Sequence, residues 1–114
     1  MGGNFMRIGV IHYLNCAHKT NVEKEYDIHG HTYKIEVSIE GNLDSDYLLG
    51  FEDMKKIVAD TLSRYNYTSL NKFMKNPTVE NFTILIYNEL KEKFKTYGVH
   101  LKVWQGNDCW VEYP

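Results

Sequence analysis

Apolar and polar residues alternate along two segments in the first third of the chain. From His29 to Gly41 the alternation is regular, with one apolar face and one polar face. This period of two predicts a half-buried antiparallel strand. A strand is also predicted from about Phe5 to His18, although Ile11 and Tyr13 make its second face apolar as well. Its other face is expected to carry seven alternate residues: Met6, Ile8, Val10, His12, Leu14, Cys16 and His18.

Two later segments have apolar residues three and four positions apart, which places them on one face of a helix. The first predicted helix carries such a stripe from Phe51 to Tyr65, and the pattern breaks from Asn66 to Pro77. Thr78 then offers a hydroxyl that can cap a second helix. The buried face of this second helix is expected to consist of Val79, Phe82, Ile86, Leu90 and Phe94.

Alternation returns after Gly98, and a turn at Gly106-Asn107-Asp108 leads to a last strand at Cys109–Tyr113. The predicted order is therefore strand, strand, helix, helix, strand, strand. This order is typical of an α+β fold, with a four-stranded antiparallel sheet and both helices on one face. No repeat or linker divides residues 1–114, so one domain is predicted.

Composition and charge narrow the classes of function. The 114 residues are 43% hydrophobic, and the net charge of -2 offers no broad attraction to nucleic acid. No apolar stretch is long enough for a membrane helix, and the first ten residues do not read as a secretory signal, so a cytoplasmic protein is expected. Cys16 and Cys109 are too few for a disulfide framework and are predicted to be small buried or half-buried side chains.

Three histidines fall where the first two predicted strands meet. His29 and His31 are two residues apart, so both imidazoles emerge on the apolar side of their strand. His18 ends the preceding strand, and pairing of the two strands would bring it towards the same place. Three neutral imidazoles around an open position suit a catalytic zinc ion. From spacing alone, a metal site and a packing role both stay open, whereas His12 and His100 are predicted to be structural.

Five short motifs are spread along nearly the whole chain, and their order and spacing are more specific than any one of them. They are Ala17-His18, His29-Gly30-His31-Thr32-Tyr33, Phe51 with Lys55, Leu70-Asn71, and Pro77-Thr78-Val79-Glu80-Asn81. In this arrangement the sequence resembles the 6-pyruvoyltetrahydropterin synthase family, which includes the bacterial 6-carboxytetrahydropterin synthases of queuosine biosynthesis.

The resemblance implies a fold, a metal and a substrate. The fold is the tunnelling fold (T-fold), in which trimers join four-stranded sheets into a barrel with helices outside, and two rings often stack into a hexamer. A homo-oligomer is therefore expected, with Zn2+ bound by His18, His29 and His31. Family members are lyases that act on a pterin, 7,8-dihydroneopterin triphosphate. Zinc polarises the hydroxyls of the substrate's side chain, and proton transfers then eliminate triphosphate or cleave that side chain.

The residue implied to act as base departs from the family pattern. The usual cysteine lies four residues before the first histidine of His-Gly-His, and that position is Glu25 here. Some relatives that cleave the side chain to 6-hydroxymethyl-dihydropterin carry a glutamate three residues before the histidine, where this chain has Tyr26. Glu25 is predicted to be the base. A solvated surface charge is the alternative, since Glu23 and Asp27 lie in the same loop.

The family's Asp-His pair, which relays protons, corresponds to Asn66 and Tyr67. Asn66 does not ionise, and a tyrosine, with an unperturbed pKa of about 10, is a poor base at neutral pH. Tyr67 is therefore predicted to act as an acid or a hydrogen-bond donor to the substrate. Closing the pocket is its alternative role.

Two further positions are expected to contact the pterin. Gln105 stands where the family uses a glutamate to accept two N–H bonds, and its amide, with one acceptor and one donor, suits a lactam edge. Glu112 on the neighbouring strand is an alternative anchor. Thr78 matches a family position that contacts the pterin, and capping the second helix is its other predicted role.

Three hypotheses follow. The first is a zinc-dependent lyase on dihydroneopterin triphosphate or a related pterin, with Glu25 as base. The second is a divergent member that binds zinc and a pterin- or purine-like ligand without the usual turnover, as the three departures favour. The third, a structural subunit whose histidines only pack, is the weakest, because three histidines at matching positions need a common cause.

Overall fold

The computed structural model describes residues 3–23 and 27–114, so the predicted base Glu25 lies outside the described residues. Its elements follow the predicted order. They are β1 (Asn4–His18), β2 (His29–Leu43), α1 (Phe51–Leu62), α2 (Val79–Lys93), β3 (Gly98–Gln105) and β4 (Cys109–Tyr113). Two short 3-10 turns, Ser63–Tyr65 and Leu70–Lys72, lie between the helices. Helix α1 therefore ends at Leu62, whereas the apolar stripe that predicted it continues to Tyr65 in the first 3-10 turn.

The four strands form one antiparallel sheet in the order β1-β2-β3-β4. One face of the sheet is buried beneath the two helices, as the sequence predicts for an α+β fold. The other face is open, and its Ile11 and Tyr13 side chains are 50% and 57% exposed. These two residues made the β1 pattern ambiguous, and the structure places them on the open face.

The hydrophobic core lies between the sheet and the helices. Alternate residues of three strands supply one side of it, and the apolar stripes of both helices supply the other. The predicted helix residues Phe82, Ile86 and Leu90 are fully buried, and Phe94 is nearly so. Among the described residues, neither helix has the length and apolar content needed to cross a bilayer.

One sequence prediction about burial is wrong in part. Met6 lies on the same face of β1 as the buried Val10 and Leu14, as predicted, and is 38% exposed near the start of the strand. Cys16 is buried as predicted, but Cys109 is exposed. Cys109 is the first residue of the edge strand β4 and follows the turn directly, so it has a strand neighbour on one side only.

A hydrogen-bonded network braces the turn that follows α1. The Tyr65 ring is fully buried, and its hydroxyl donates to Glu89 Oε2 at 2.5 Å. The Arg64 guanidinium donates to the same carboxylate oxygen and to the Tyr65 hydroxyl. The network ties the turn to α2 and fixes the course of the next segment, which runs beside the end of β1.

Removal of the Tyr65 hydroxyl should lower stability in a pH-dependent way. We expect Tyr65→Phe to lower the free energy of unfolding by about 1–2 kcal/mol at neutral pH, because Glu89 loses a hydrogen-bond donor. Burial and the Glu89 hydrogen bond raise the pKa of Tyr65 from 10.0 to about 12. The hydroxyl's contribution is therefore complete below pH 10 and is lost as the pH rises towards about 12.

Urea unfolding at a series of alkaline pH values would test this. Tyr65→Phe should show a shallower loss of stability than the wild type in that range. Glu89→Gln keeps an acceptor for the Tyr65 hydroxyl, so its loss of unfolding free energy at neutral pH should be smaller than that of Tyr65→Phe. An alkaline slope of Tyr65→Phe equal to that of the wild type would contradict the assignment.

Candidate metal centre and active site

Three imidazole rings converge where β1 ends and β2 begins. His18 and His29 are cross-strand partners, and His31 is the partner of Cys16 two residues along. The ring centroids of His18, His29 and His31 are 4.7 to 4.8 Å apart, so the rings form a nearly equilateral triangle. One nitrogen from each ring lies within 4.8 Å of the other two. The structure thus brings together the three histidines that the sequence singled out.

The hydrogen bonds of His18 and His29 fix which nitrogen faces the centre. His18 Nδ1 lies 2.8 Å from the carbonyl oxygen of Pro77, and His29 Nδ1 lies 2.7 Å from that of Asp27. A carbonyl oxygen only accepts, so each Nδ1 carries the proton and donates it. In a neutral ring, Nε2 then keeps its lone pair, and this is the form of histidine that binds a metal.

The floor of the triangle is aromatic and closed to solvent. Tyr33 is fully buried, and its ring packs edge-on against His18, His31 and Phe82. Its hydroxyl lies 3.2 Å from His18 Nδ1. The Nε2 atoms of His18 and His31 are shielded from water. The rings are therefore held in place before any ion arrives.

This donor set fits zinc. Neutral imidazole nitrogens are ligands that zinc prefers, and a catalytic site has three protein ligands and one open position. The main-chain carbonyls of Pro77 and Asp27 serve as the outer partners that orient metal-binding histidines. Sequence reasoning missed these two carbonyls and the Tyr33 floor. Pro77-Thr78 was recognised as a family motif and as the start of a helix, but not as a partner of His18, since a main-chain carbonyl has no side-chain signature.

The two predicted pterin-contacting residues lie near the triangle. Thr78 follows Pro77 directly and caps α2, with its Oγ1 accepting the Asn81 N–H at 3.1 Å. Gln105 ends β3 opposite Tyr33 and is half-buried on the helix-covered face of the sheet. Gln105 therefore shares a sheet face with the histidines. Capping is the role of Thr78 that the geometry displays, and substrate contact remains a prediction for both residues.

Tyr67 lies at the edge of β1, away from the floor of the triangle. Its side chain is 81% exposed, and its φ of 58° lies in the left-handed region. The Tyr67 N–H donates to Asn15 O at 2.6 Å, and the neighbouring Asn66 Oδ1 accepts the Asn15 N–H at 2.9 Å. Asn66 thus holds the segment against β1. These bonds fix an unfavourable backbone conformation that leaves the Tyr67 ring in solvent within one protomer.

The nearest described cysteine does not take the place of the missing family cysteine. Cys16 lies across from His31, but its Sγ donates to Tyr65 O at 3.3 Å. Burial raises the pKa of Cys16 to about 11. The thiol therefore stays protonated at neutral pH and is unsuited to act as a base or nucleophile.

Glu112 lies on the open face of the sheet, opposite the face that carries the histidines. It pairs with Lys102, whose neighbours Leu101 and Val103 face the core. Hydrogen bonds from Trp110 and His100 lower the pKa of Glu112. In this chain Glu112 is thus a hydrogen-bond partner of His100, on the other face of the sheet from Gln105.

The sheet, the two helices on one face and the histidine triangle define a T-fold protein with a candidate metal centre. The model of the family described as 6-pyruvoyl tetrahydropterin synthase matches residues 7–114, and the chain belongs to this family. The resemblance predicted from the sequence motifs is therefore confirmed.

The chain is also similar to individual proteins that have been named. The chain is 34% identical over 102 residues to the dihydroneopterin monophosphate aldolase of Pyrococcus furiosus, covering 87% of this chain and 89% of the relative. It is 32% identical over 109 residues, 94% of each chain, to an Archaeoglobus fulgidus protein provisionally named 6-carboxy-5,6,7,8-tetrahydropterin synthase. The solved 6-pyruvoyl tetrahydropterin synthase of Caenorhabditis elegans has the same fold, with a TM-score of 0.83 at 20% identity over 97% of this chain and 96% of that one.

Loss of one histidine should abolish tight zinc binding. We expect His29→Ala to lower the zinc affinity by more than about 100-fold, since loss of a ligand costs more than loss of an outer partner. Elemental analysis and competition with a chromophoric chelator would measure this. His12→Ala is the matched control, because His12 lies on β1 outside the triangle, and it should keep its zinc. Wild-type affinity in His29→Ala would exclude His29 as a ligand.

Proposed function

We propose that the protein is a zinc-dependent enzyme that cleaves the side chain of a dihydroneopterin phosphate. The observation that carries this proposal is the triangle of three histidines, two of which have Nε2 directed to the centre by main-chain carbonyls. The similarity to an aldolase named for dihydroneopterin monophosphate supports the choice of substrate.

His18, His29 and His31 would hold the metal, and Tyr33 and Phe82 would keep water from its inner side. When bound, zinc supplies a Lewis acid that polarises hydroxyl groups of the substrate. The chain's own residues must then bind the pterin ring and move protons.

Glu25 is proposed as the base that starts the reaction. Its carboxylate takes the proton of the second side-chain hydroxyl, and the bond between the first and second side-chain carbons breaks. The electron pair of that bond passes into the conjugated C=N bond of the dihydropterin ring. A proton returned to the first carbon gives the 6-hydroxymethyl product, and the remaining two carbons leave as a phosphorylated aldehyde.

The missing proton relay favours this cleavage over elimination of the phosphate. Elimination requires a proton to be removed from carbon, a task for a strong and well-placed base. Asn66 does not ionise, and its amide is committed to the Asn15 N–H. A retro-aldol cleavage removes a hydroxyl proton instead, which a single carboxylate such as Glu25 can accept.

Gln105 and Thr78 are proposed to bind the substrate. An amide offers one acceptor and one donor, so Gln105 suits a ring edge with one N–H and one carbonyl. Gln105 shares a sheet face with the histidines. The Thr78 hydroxyl accepts the cap bond with a lone pair, and its proton stays available to the substrate.

We also propose that the enzyme works as a homo-oligomer, a trimer or a hexamer. In the described part of one protomer, β1 and β4 are the edges of the sheet. The segment around Tyr67 and Ser69 covers the outer edge of β1 only near Asn15 and Ala17. The preceding residues of β1 leave an edge long enough to pair with the five residues of β4 in a second copy.

A second candidate function is binding of zinc and a pterin- or purine-like ligand without turnover. The hydrogen bond from the Asn15 N–H to Asn66 Oδ1 favours this binding function. Asn66 stands where the family has a proton-relay residue, and here its side chain instead attaches its segment to β1. Product analysis distinguishes the two functions.

The zinc-loaded protein should convert 7,8-dihydroneopterin monophosphate, and the triphosphate more slowly, to 6-hydroxymethyl-7,8-dihydropterin. Chromatography of the pterins would measure this, and removal of zinc by a chelator should stop the reaction. A 6-pyruvoyl or 6-carboxy product would contradict side-chain cleavage between the first two carbons. Unchanged substrate would favour the binding function.

Glu25→Gln tests the base within the same assay. The amide keeps the size of the side chain and removes the acceptor of the proton, so kcat should fall by at least about 100-fold while the zinc content is unchanged. Glu23→Gln is the matched control from the same loop and should keep most of the activity. Full activity in Glu25→Gln would remove Glu25 from the mechanism.

Tyr67→Phe tests the role predicted for the tyrosine hydroxyl. If the hydroxyl donates a proton or a hydrogen bond to substrate, kcat should fall by about 10- to 100-fold with little change in stability, because the side chain is 81% exposed in one protomer. Tyr67→Leu, which also removes the ring, should be no worse than Tyr67→Phe. Activity that survives in Tyr67→Phe and is lost in Tyr67→Leu would assign the ring to pocket closure instead.

A further inference from the structure

The walls of an open pocket of about 490 Å³ are formed by two segments of the chain, one directly after His18 and the other directly before Pro77. The described residues that line it include two lysines and no carboxylate. They are Lys19, Thr20, Asn21, Asn71, Lys75 and Asn76.

Two asparagines join these walls through reciprocal hydrogen bonds. Asn71 Oδ1 accepts the Lys19 N–H at 2.9 Å, and Asn71 Nδ2 donates to Lys19 O at 3.0 Å. Asn76 Oδ1 accepts the Asn21 N–H at 3.1 Å, and Asn76 Nδ2 donates to Asn21 Oδ1 at 2.8 Å. The main chain that carries Lys19 is thereby fixed relative to the main chain that carries Lys75.

Both lysine ammonium groups are available to an anion. Lys19 and Lys75 are exposed, and neither forms an ion pair with a carboxylate of residues 3–23 or 27–114. An ammonium group binds phosphate as a compact charge with three donors. Two such groups on opposite walls give the pocket a local positive potential in a chain with a net charge of -2.

The pocket and the candidate metal centre share their framework. Lys19 follows His18, and Asn76 precedes Pro77, whose carbonyl oxygen accepts the proton of His18 Nδ1 at 2.8 Å. One wall therefore begins one residue after His18, and the other ends one residue before the carbonyl that holds the His18 ring, about 3.8 Å between Cα atoms in each case. This adjacency favours a ligand with hydroxyls at the histidines and a phosphate a few bonds away.

We propose that Lys19 and Lys75 bind the phosphate group of the substrate and thereby select phosphorylated over unphosphorylated dihydroneopterin. This inference rests on the proposed function for the identity of the rest of the substrate. The two lysines are binding residues, remote from the bond that breaks. Their contacts place the side chain of the pterin across the histidine triangle.

Steady-state kinetics with two substrates would test this proposal on the zinc-loaded protein. Lys19→Met/Lys75→Met should raise KM for dihydroneopterin monophosphate by at least about tenfold, as expected for the loss of charge-assisted contacts. KM for unphosphorylated dihydroneopterin should stay within about twofold of the wild-type value, since this compound has no group for the lysines to bind.

Lys56→Met/Lys95→Met is the matched control. It removes the same net charge at two positions outside the pocket, where the side chains are 74% and 73% exposed. Its KM for both compounds should equal that of the wild type. An equal rise in KM for both compounds in the Lys19/Lys75 variant, or no rise beyond the control, would overturn the proposal.

A binding measurement separates this proposal from the proposed function. If the wild type turns over neither compound, the proposed function fails, and calorimetric titration with inorganic pyrophosphate decides the phosphate site alone. Affinity at least about tenfold lower in Lys19→Met/Lys75→Met than in the wild type and the control would support the site. Equal affinity in all three proteins, or no binding to the wild type, would overturn it.

Discussion

The antiparallel register of β1 and β2 is the constraint on which the candidate site depends. It sets His18 opposite His29 and Cys16 opposite His31, so three imidazoles meet at one end of the sheet. A shift of the register by one residue would turn every side chain of one strand to the other face. The same register puts alternate apolar residues of both strands into the core, and burial of that core therefore also fixes the histidines. Stability and ligand geometry are linked through one set of strand pairings.

Much of the fold was predictable because each element has a regular period and a buried face. The β2 alternation and the stripe of α2 identified core residues such as Ile35, Val37, Phe82 and Ile86. Local sequence was less informative where neighbours decide the outcome. Helix α1 ends at Leu62 although its apolar pattern continues to Tyr65. Tyr65 lies in a 3-10 turn, and hydrogen bonds with Glu89 and Arg64 hold this turn in place while the Tyr65 ring is buried.

The candidate site likewise has features that the local sequence predicts and features that depend on distant parts of the chain. His29 and His31 could be predicted because residues two apart on a strand share a face, and His18 because the predicted pairing of the first two strands brings it to the same place. The carbonyl oxygens of Pro77 and Asp27 could not, since they belong to the main chain, and their positions depend on where the loops pass. The pocket lined by Lys19 and Lys75 could not be predicted from the sequence for a related reason. Lys19 and Lys75 are far apart in sequence, and the bonds of Asn71 and Asn76 help to join their segments in the folded chain.

The outer partners of the histidines have a consequence for the electronic character of a metal held there. Where a carboxylate accepts the Nδ1 proton, it makes the imidazole more basic, and the ring then donates more electron density to the ion. His18 and His29 have neutral carbonyl partners instead. Three neutral imidazole ligands, two of them with such partners, would leave both positive charges of an ion largely uncompensated and would strengthen its pull on a hydroxyl oxygen. The main chain, through two peptide groups, would thus set the acidity of the substrate.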